Sequence, residues 1–459
     1  MTRDKKQLYI ILCATTLSSF ITPFMGSCVN VALPVMAREL SMTAVTLSWV
    51  ASSFILAAAI TLVPLGRLAD IHGRKKIFFW GAVIFTLSSL LCMWSPTAMF
   101  LIFVRVIQGI GGAMIFSTGT AILVSAYSLR ERGGILGINI AAVYIGLTIG
   151  PFIGGLLTEN LSWRYLFLFT SLLGIGLILL ILFIDKEEHN GADGEGFDFF
   201  GSLLYAVALF AIMYGFSLLP LLAGGGLIGF GIICLIFFIR QQLKIPYPLL
   251  NIGLFRDNRV FAFSNLAALI NYCATFAVTF LLSLYLQHIK ALTPLQAGTI
   301  LIAEPAVQAL FSPLAGRLSD RFEPRIIATL GMALNVLGLF PLIFINSETG
   351  MQNIIFCLIV LGVGFALFSS PNVNAAMSAV EDKYYGIASA TLSTMRLMGQ
   401  MFSMGITMLV FAIFLGNHPL TEAGNSLLLK STQIIFFTLA ILCCFGIFAS
   451  LARGKVHNN

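Results

Sequence analysis

Gly66-Arg67-Leu68-Ala69-Asp70-Ile71-His72-Gly73-Arg74-Lys75-Lys76 lies between two long apolar runs. A shortened copy, Gly316-Arg317-Leu318-Ser319-Asp320-Arg321, lies between two further apolar runs in the second part of the chain. A charged, glycine-opened segment at corresponding places implies two related membrane halves.

The rest of the composition agrees with a membrane setting. Of 459 residues, 58% are hydrophobic and 10% are charged. A soluble globular chain carries about 25% charged residues, so this one cannot cover a water-facing surface. The 40 Phe and 42 Gly suit lipid-facing helices and close helix crossings. A net charge of +7 does not by itself point to nucleic acid, because its distribution follows the apolar runs. The eight Cys fall inside those runs without metal-ligand spacing and read as small buried hydrophobes. The five His sit at loops or run ends, so no metal cluster is expected. The run after Lys6 is too long for a signal-peptide core and lacks a small-residue cleavage site, so it reads as a retained first span.

A bilayer core of about 30 Å takes roughly 20 apolar residues as a helix, and runs this apolar are viable as helices. Fourteen are read: 8–34, 44–66, 76–94, 97–126, 134–159, 163–184, 199–220, 224–241, 260–288, 295–317, 325–346, 351–378, 384–416 and 430–452. The expected fold class is an all-α polytopic membrane protein. Pro220 and Gly224-Gly225-Gly226 divide 199–241 into a hairpin. Each hinge copy follows the second helix of a half if spans seven and eight are an insertion. The expected division is a six-helix bundle over 1–184, an acidic cytoplasmic linker over 185–198, an inserted two-helix hairpin and connecting loop over 199–259, and a second six-helix bundle over 260–459.

Charge gives the orientation. Of the 26 Lys and Arg, twenty fall in segments on the side of the N-terminus, and only Arg38, Arg164, Lys290 and Lys430 fall on the other. Arg105 and Arg396 lie within spans. The positive-inside rule then puts both termini in the cytoplasm and the chain, multi-pass, in a cell inner (plasma) membrane.

Further stretches sharpen the reading. Asn30-Val31-Ala32-Leu33-Pro34 closes the first run, and Arg105-Val106-Ile107-Gln108-Gly109-Ile110-Gly111-Gly112-Ala113 lies in the fourth. Gly150-Pro151-Phe152-Ile153-Gly154-Gly155, followed by Trp163-Arg164, lies in the fifth, and Leu292-Thr293-Pro294-Leu295-Gln296-Ala297-Gly298 opens the tenth. With the hinge, these resemble the major facilitator superfamily, and in particular its fourteen-span drug:proton antiporter branch with two extra central helices. The resemblance implies the major facilitator fold and multidrug efflux of the kind that gives drug resistance. One departure stands out: that branch usually has an acidic residue and a Thr in the first span, where this chain has Met25 and Ser27.

The resemblance implies a cytoplasmic conformational latch formed by Gly66, Arg67, Asp70, Gly73 and Arg74 with Gly316, Asp320 and Arg321. Physically, Asp70 would end one helix beside the start of another, where a carboxylate can accept backbone N–H bonds. Plain positive-inside topology is the alternative. Arg105, mid-span, costs roughly 2.5–3.5 kcal/mol on insertion scales and needs a partner, with Gln108 on the same face. The resemblance gives it a part in proton coupling; a structural tie is the alternative. Gly150, Pro151, Gly154 and Gly155 combine a bend with a small-residue face that can rock and seal.

Glu304 is the only carboxylate placed well inside a span, where it can take up and release a proton or contact substrate. Glu159, at a span end, is a weaker candidate. Arg396 could meet an anionic group, a carboxylate or lipid headgroups. Gln108, Asn139, Tyr144, Asn271, Gln308 and Asn372 are polar groups in apolar spans, expected to face a cavity or to tie helices together.

These readings favour a proton-coupled exporter of small amphipathic organic compounds by alternating access. The alternative in the same class is a selective exporter or importer of one metabolite. An embedded enzyme or receptor would need a catalytic cluster or an outer domain, and the loops are too short for one. No Walker-type loop is present. The expected partners are a small-molecule substrate, protons and membrane lipids, not nucleic acid. No cofactor is expected beyond the proton as coupling ion, and a monomer is expected.

Overall fold

The computed structural model describes residues 5–127, 131–185, 196–250, 252–381, 385–416 and 424–454. Among them every regular element is a helix, and fourteen helices are long and apolar enough to cross a membrane. In order they are Lys5–Glu39, Ala44–His72, Arg74–Met93, Ala98–Ala126, Gly134–Asn160, Arg164–Leu182, Phe199–Leu218, Leu222–Gln242, Arg259–Ile289, Pro294–Ser319, Pro324–Leu342, Met351–Ser378, Ile387–Phe414 and Asn425–Ala452. Short polar caps set several starts. Thr43, Thr97, Asn258 and Thr293 each accept a backbone N–H of the first turn, and Thr293 with Gln296 forms a capping box.

Three expected boundaries are corrected. Pro34 does not close the first span, because the helix continues to Glu39. The second span runs on through the hinge to His72, so only Gly73, at φ 105°, separates it from the third. The eighth span starts at Leu222, so Gly224-Gly225-Gly226 is helical rather than a break.

The first six spans pair as one with five, one with six, two with four, three with four and three with six. The last six repeat that pattern, as nine with thirteen, nine with fourteen, ten with twelve, eleven with twelve and eleven with fourteen. Spans seven and eight pair with each other, and span seven leans on spans two and thirteen, with the Tyr205 hydroxyl donating to the Ala59 carbonyl at 3.2 Å. Most of the acidic stretch 185–198 lies outside the described residues. Asp198 is described: it caps span seven and accepts from Gln241 and Gln242, closing the hairpin's base.

Spans two and nine are the most deeply buried, as central helices must be, and span eight is the least. An even count brings the start of span one and the end of span fourteen to one face, here the terminal face; the opposite one is the far face.

Candidate functional site: the central cavity and its gates

Two spans are interrupted near the middle. Pro305 has no N–H, so span ten breaks at Ile302 into Pro294–Leu301 and Ala303–Arg321. Span nine breaks between Thr275 and Ala277, whose N–H turns aside to the Ser403 hydroxyl of span thirteen at 3.1 Å. Glu304 and Thr279 follow these two breaks, and the Glu304 carboxyl meets the Thr279 hydroxyl. Glu304 is half-buried and turned toward span nine, one of the two most deeply buried helices. Such a carboxyl lines an internal space rather than lipid. Gln308 is buried one turn further on.

Tyr144, half-buried on span five, reaches toward the second half. Its hydroxyl faces Ser312 and Ser369, with Tyr272 and Arg396 in electrostatic range. The Arg396 guanidinium lies over the Tyr272 ring, 5.0 Å from its centroid, and Tyr272 meets Phe365 edge-on at 5.3 Å. Arg396 therefore belongs to the centre of the bundle, not to the headgroup layer. It also keeps accessible surface.

Arg105 is enclosed instead. It donates to Gln108 at 2.6 Å and to the Val50 carbonyl at 3.3 Å, and it lies over the Phe54 ring at 4.7 Å. Gln108 passes the chain on to the Ser89 hydroxyl at 2.6 Å. This is a polar tie joining spans two, three and four, with no carboxylate in it. The Met25 sulfur of span one accepts from Thr170 at 3.1 Å.

The halves meet closely at the far face. The Gly-Pro motif of span five works on two sides. Gly150 and Gly154 lie against Ser27 and Cys28 of span one, while Gly155 lies against Pro294 and Leu295 of span ten. Gly298 returns the contact against Pro151. Glu159 is exposed there and accepts from the Leu295 N–H at 3.0 Å. Its position is the rim of the far face, away from Glu304.

Proline explains one of the other far-face bonds. Pro34 cannot donate to the Asn30 carbonyl four residues back, and the Ser283 hydroxyl of span nine takes that acceptor at 2.7 Å. Gln287, in the π-helical turn Tyr285–Ile289, donates to the Val31 carbonyl at 2.8 Å. The Asn-Val-Ala-Leu-Pro element thus offers backbone acceptors to the opposite half. Nearby, Glu39 receives Trp163 and Arg164, which accounts for that pair following the Gly-Pro motif.

At the terminal face, Asp70 pairs with Arg74 at 2.8 Å across Gly73. Asp70 stands in the last turn of span two, so its partner is this side chain. The Gly316 copy is helical, and the Asp320 side chain lies outside the described residues. Arg321 is exposed.

Several candidates for the cavity serve as ties. Asn139 accepts from Thr16 at 2.9 Å, and Asn271 accepts from Asn335 at 2.9 Å. Asn372 donates to the Ser264 carbonyl at 3.1 Å and accepts from Arg453 at 2.6 Å. Burial brings the Arg453 guanidinium down to about 10. The centre thus gathers Glu304, Gln308, Tyr144 and Arg396, while Gln108, Asn139, Asn271 and Asn372 fasten helices. Sequence reasoning missed Thr279, Ser283, Gln287 and Glu39. Pro34, whose missing N–H leaves the Asn30 carbonyl unmet, signals that a donor comes from elsewhere without saying which residue. Among the described residues no His, Cys, Asp and Glu cluster fit to hold a metal occurs.

Comparison with known proteins places this architecture. The chain is 28% identical over 449 residues to the Riboflavin transporter RibZ of Clostridioides difficile, covering 96% of each. It is 33% identical over 381 residues to the Uncharacterized transporter YebQ of Escherichia coli, covering 82% of this chain and 83% of the relative. The Multidrug resistance protein Stp of Mycobacterium tuberculosis is 29% identical over 412 residues, 88% of this chain and 76% of its own. In fold it is similar, with a TM-score of 0.70, 16% identity and 98% coverage of both chains, to a bacterial homolog of the human lysosomal transporter Spinster solved in an inward-facing, unoccupied conformation. The family model of the Major Facilitator Superfamily matches residues 15–255 and 265–458. The chain belongs to the Major Facilitator Superfamily and is a membrane transporter, not an enzyme.

Proposed function

We propose that this transporter is a proton-coupled antiporter that exports small amphipathic organic compounds by alternating access. The observation that carries the reading is Glu304, the one mid-span carboxylate among the described residues, set beside Thr279 between two broken helices. A carboxyl there can bind a proton in one access state and release it in the other, exchanging it for substrate. The far-face bonds from Ser283, Gln287 and Leu295 hold that side shut, while the Asp70–Arg74 pair belongs to a latch on the terminal face. The bias of Lys and Arg supports a cytoplasmic terminal face in an inner (plasma) membrane. Glu159 and Arg105 then act beside the proton site rather than in it, one at the far rim and one as a fastening. The protein works as a monomer on a small-molecule substrate, with protons as the coupling ion and lipid around it.

A second reading, selective transport of one metabolite, is favoured by one observation. Met25 and Ser27 replace the acid and Thr of broad cationic-drug pumps, and a relative covering 96% of each chain is named for riboflavin.

The test is substrate efflux and proton uptake in reconstituted vesicles. Glu304→Gln is expected to abolish pH-gradient-driven movement while leaving the folded protein in the membrane. Unchanged coupling in that variant would remove Glu304 from the role.

A further inference from the structure

The two arginines inside the membrane are treated differently by the fold. Arg105 is buried and bonded to Gln108 and Val50. Arg396 keeps accessible surface and has the Tyr272 ring on one side, with Tyr144 nearby. Among the described residues, every Asp and Glu but Glu304 lies at a span end or between spans. Glu304 meets Thr279, and among the described residues no carboxylate pairs with Arg396. A fixed positive charge facing an internal space without a counter-ion is a ready site for a negative group. The walls beside it are flat: Tyr272, the edge-on Phe365 and Tyr144, with Ser312 and Ser369 as small polar contacts.

We propose that Arg396 binds an anionic group of the substrate, whose flat, aromatic body rests against Tyr272 and Tyr144. The inference rests on the reading of this cavity as the transport site, and it names the class of cargo as aromatic organic anions. It separates the two charges of the centre: Arg396 holds cargo, and Glu304 handles protons. Arg396 and the Tyr272 ring it lies over are both substrate-contact residues.

The experiment uses the purified full chain and three compounds of one shape: 2-naphthoate, its neutral amide, and the cationic 2-naphthylmethylammonium. Binding is read by equilibrium dialysis in detergent. The anion is expected to bind about tenfold tighter than either relative, the size of one charge-assisted contact in a partly wet site. Arg396→Gln should level the three compounds, Arg396→Lys should keep part of the preference, and Tyr272→Leu should reduce it. Because the wild-type ranking needs no variant, poor folding of Arg396→Gln leaves the test intact. Equal binding of the three, or preference for the cation, overturns the proposal. Vesicle flux keeps the two readings apart. Selective binding of 2-naphthoate without pH-driven flux would sink proton coupling and leave this proposal, whereas pH-driven flux of the cation would do the reverse.

Discussion

The Ser27 hydroxyl of span one donates a 3.1 Å hydrogen bond to the Leu147 carbonyl of span five. Leu147 lies four residues before Pro151, whose ring nitrogen has no proton to give it. In lipid an unmet carbonyl is costly, so a neighbouring helix supplies the donor and the bend becomes tolerable. Ser27 is thus the counterpart of Pro151, and removing it should cost about 1–3 kcal/mol.

Ser27→Ala is expected to lower the unfolding temperature in detergent. In a Pro151→Ala background, which restores the backbone N–H, the same change should cost little. Equal costs in both backgrounds would refute the pairing.

Ser283→Ala with Gln287→Ala should strip the donors from Asn30 and Val31. The Asn30 carbonyl, left unmet because Pro34 has no N–H, costs about 1–3 kcal/mol in the closed form, enough by itself to shift the two access states by roughly 5- to 150-fold. Spin labels at the far ends of spans one and nine should report a longer mean separation. An unchanged distance distribution would show that these bonds do not hold the far face.

Gly155→Ala would put a methyl carbon 2.5 Å from the Pro294 carbonyl oxygen, a backbone atom that cannot rotate away. Transport is expected to fall by about tenfold or more, as wedged backbones lose several kcal/mol of packing. Insertion into the membrane should stay normal. Full transport by Gly155→Ala would mean the spans can part there at no cost.

Asp70→Asn removes the charge facing Arg74 at 2.8 Å. A partly exposed pair of this kind is worth about 1 kcal/mol or less, so thermal stability should barely move. Transport should nonetheless fall sharply if the pair latches one access state. A variant with wild-type flux would leave the hinge with a topological role alone.

Most of the fold was legible because hydropathy over 20 residues is a direct record of contact with lipid. The ends misread were those at Pro34, at the run through Asp70 and at Gly224-Gly225-Gly226: a helix runs on through charged or glycine residues while its backbone bonds are kept, and it crosses a proline when another helix donates to the freed carbonyl. Sequence cannot show that donor. Charged candidates fared differently from neutral ones. Glu304 and Arg396 stood out because an ionisable group in an apolar run has few places to go. Asn139, Asn271 and Asn372 looked the same as cavity residues from sequence, and only the positions of Thr16, Asn335, Ser264 and Arg453 reveal them as fastenings. Thr279 and Ser283 carried no signal at all, being small hydroxyls on an apolar helix.

The far-face bonds from Ser283 and Gln287 are made by a hydroxyl and an amide. Neither group gains or loses a proton anywhere in the range where cells live. These two clasps are therefore blind to acidity, gripping equally in a sour or an alkaline habitat. A proton bound elsewhere in the protein could loosen them only mechanically, through the tilt of the helices that carry them.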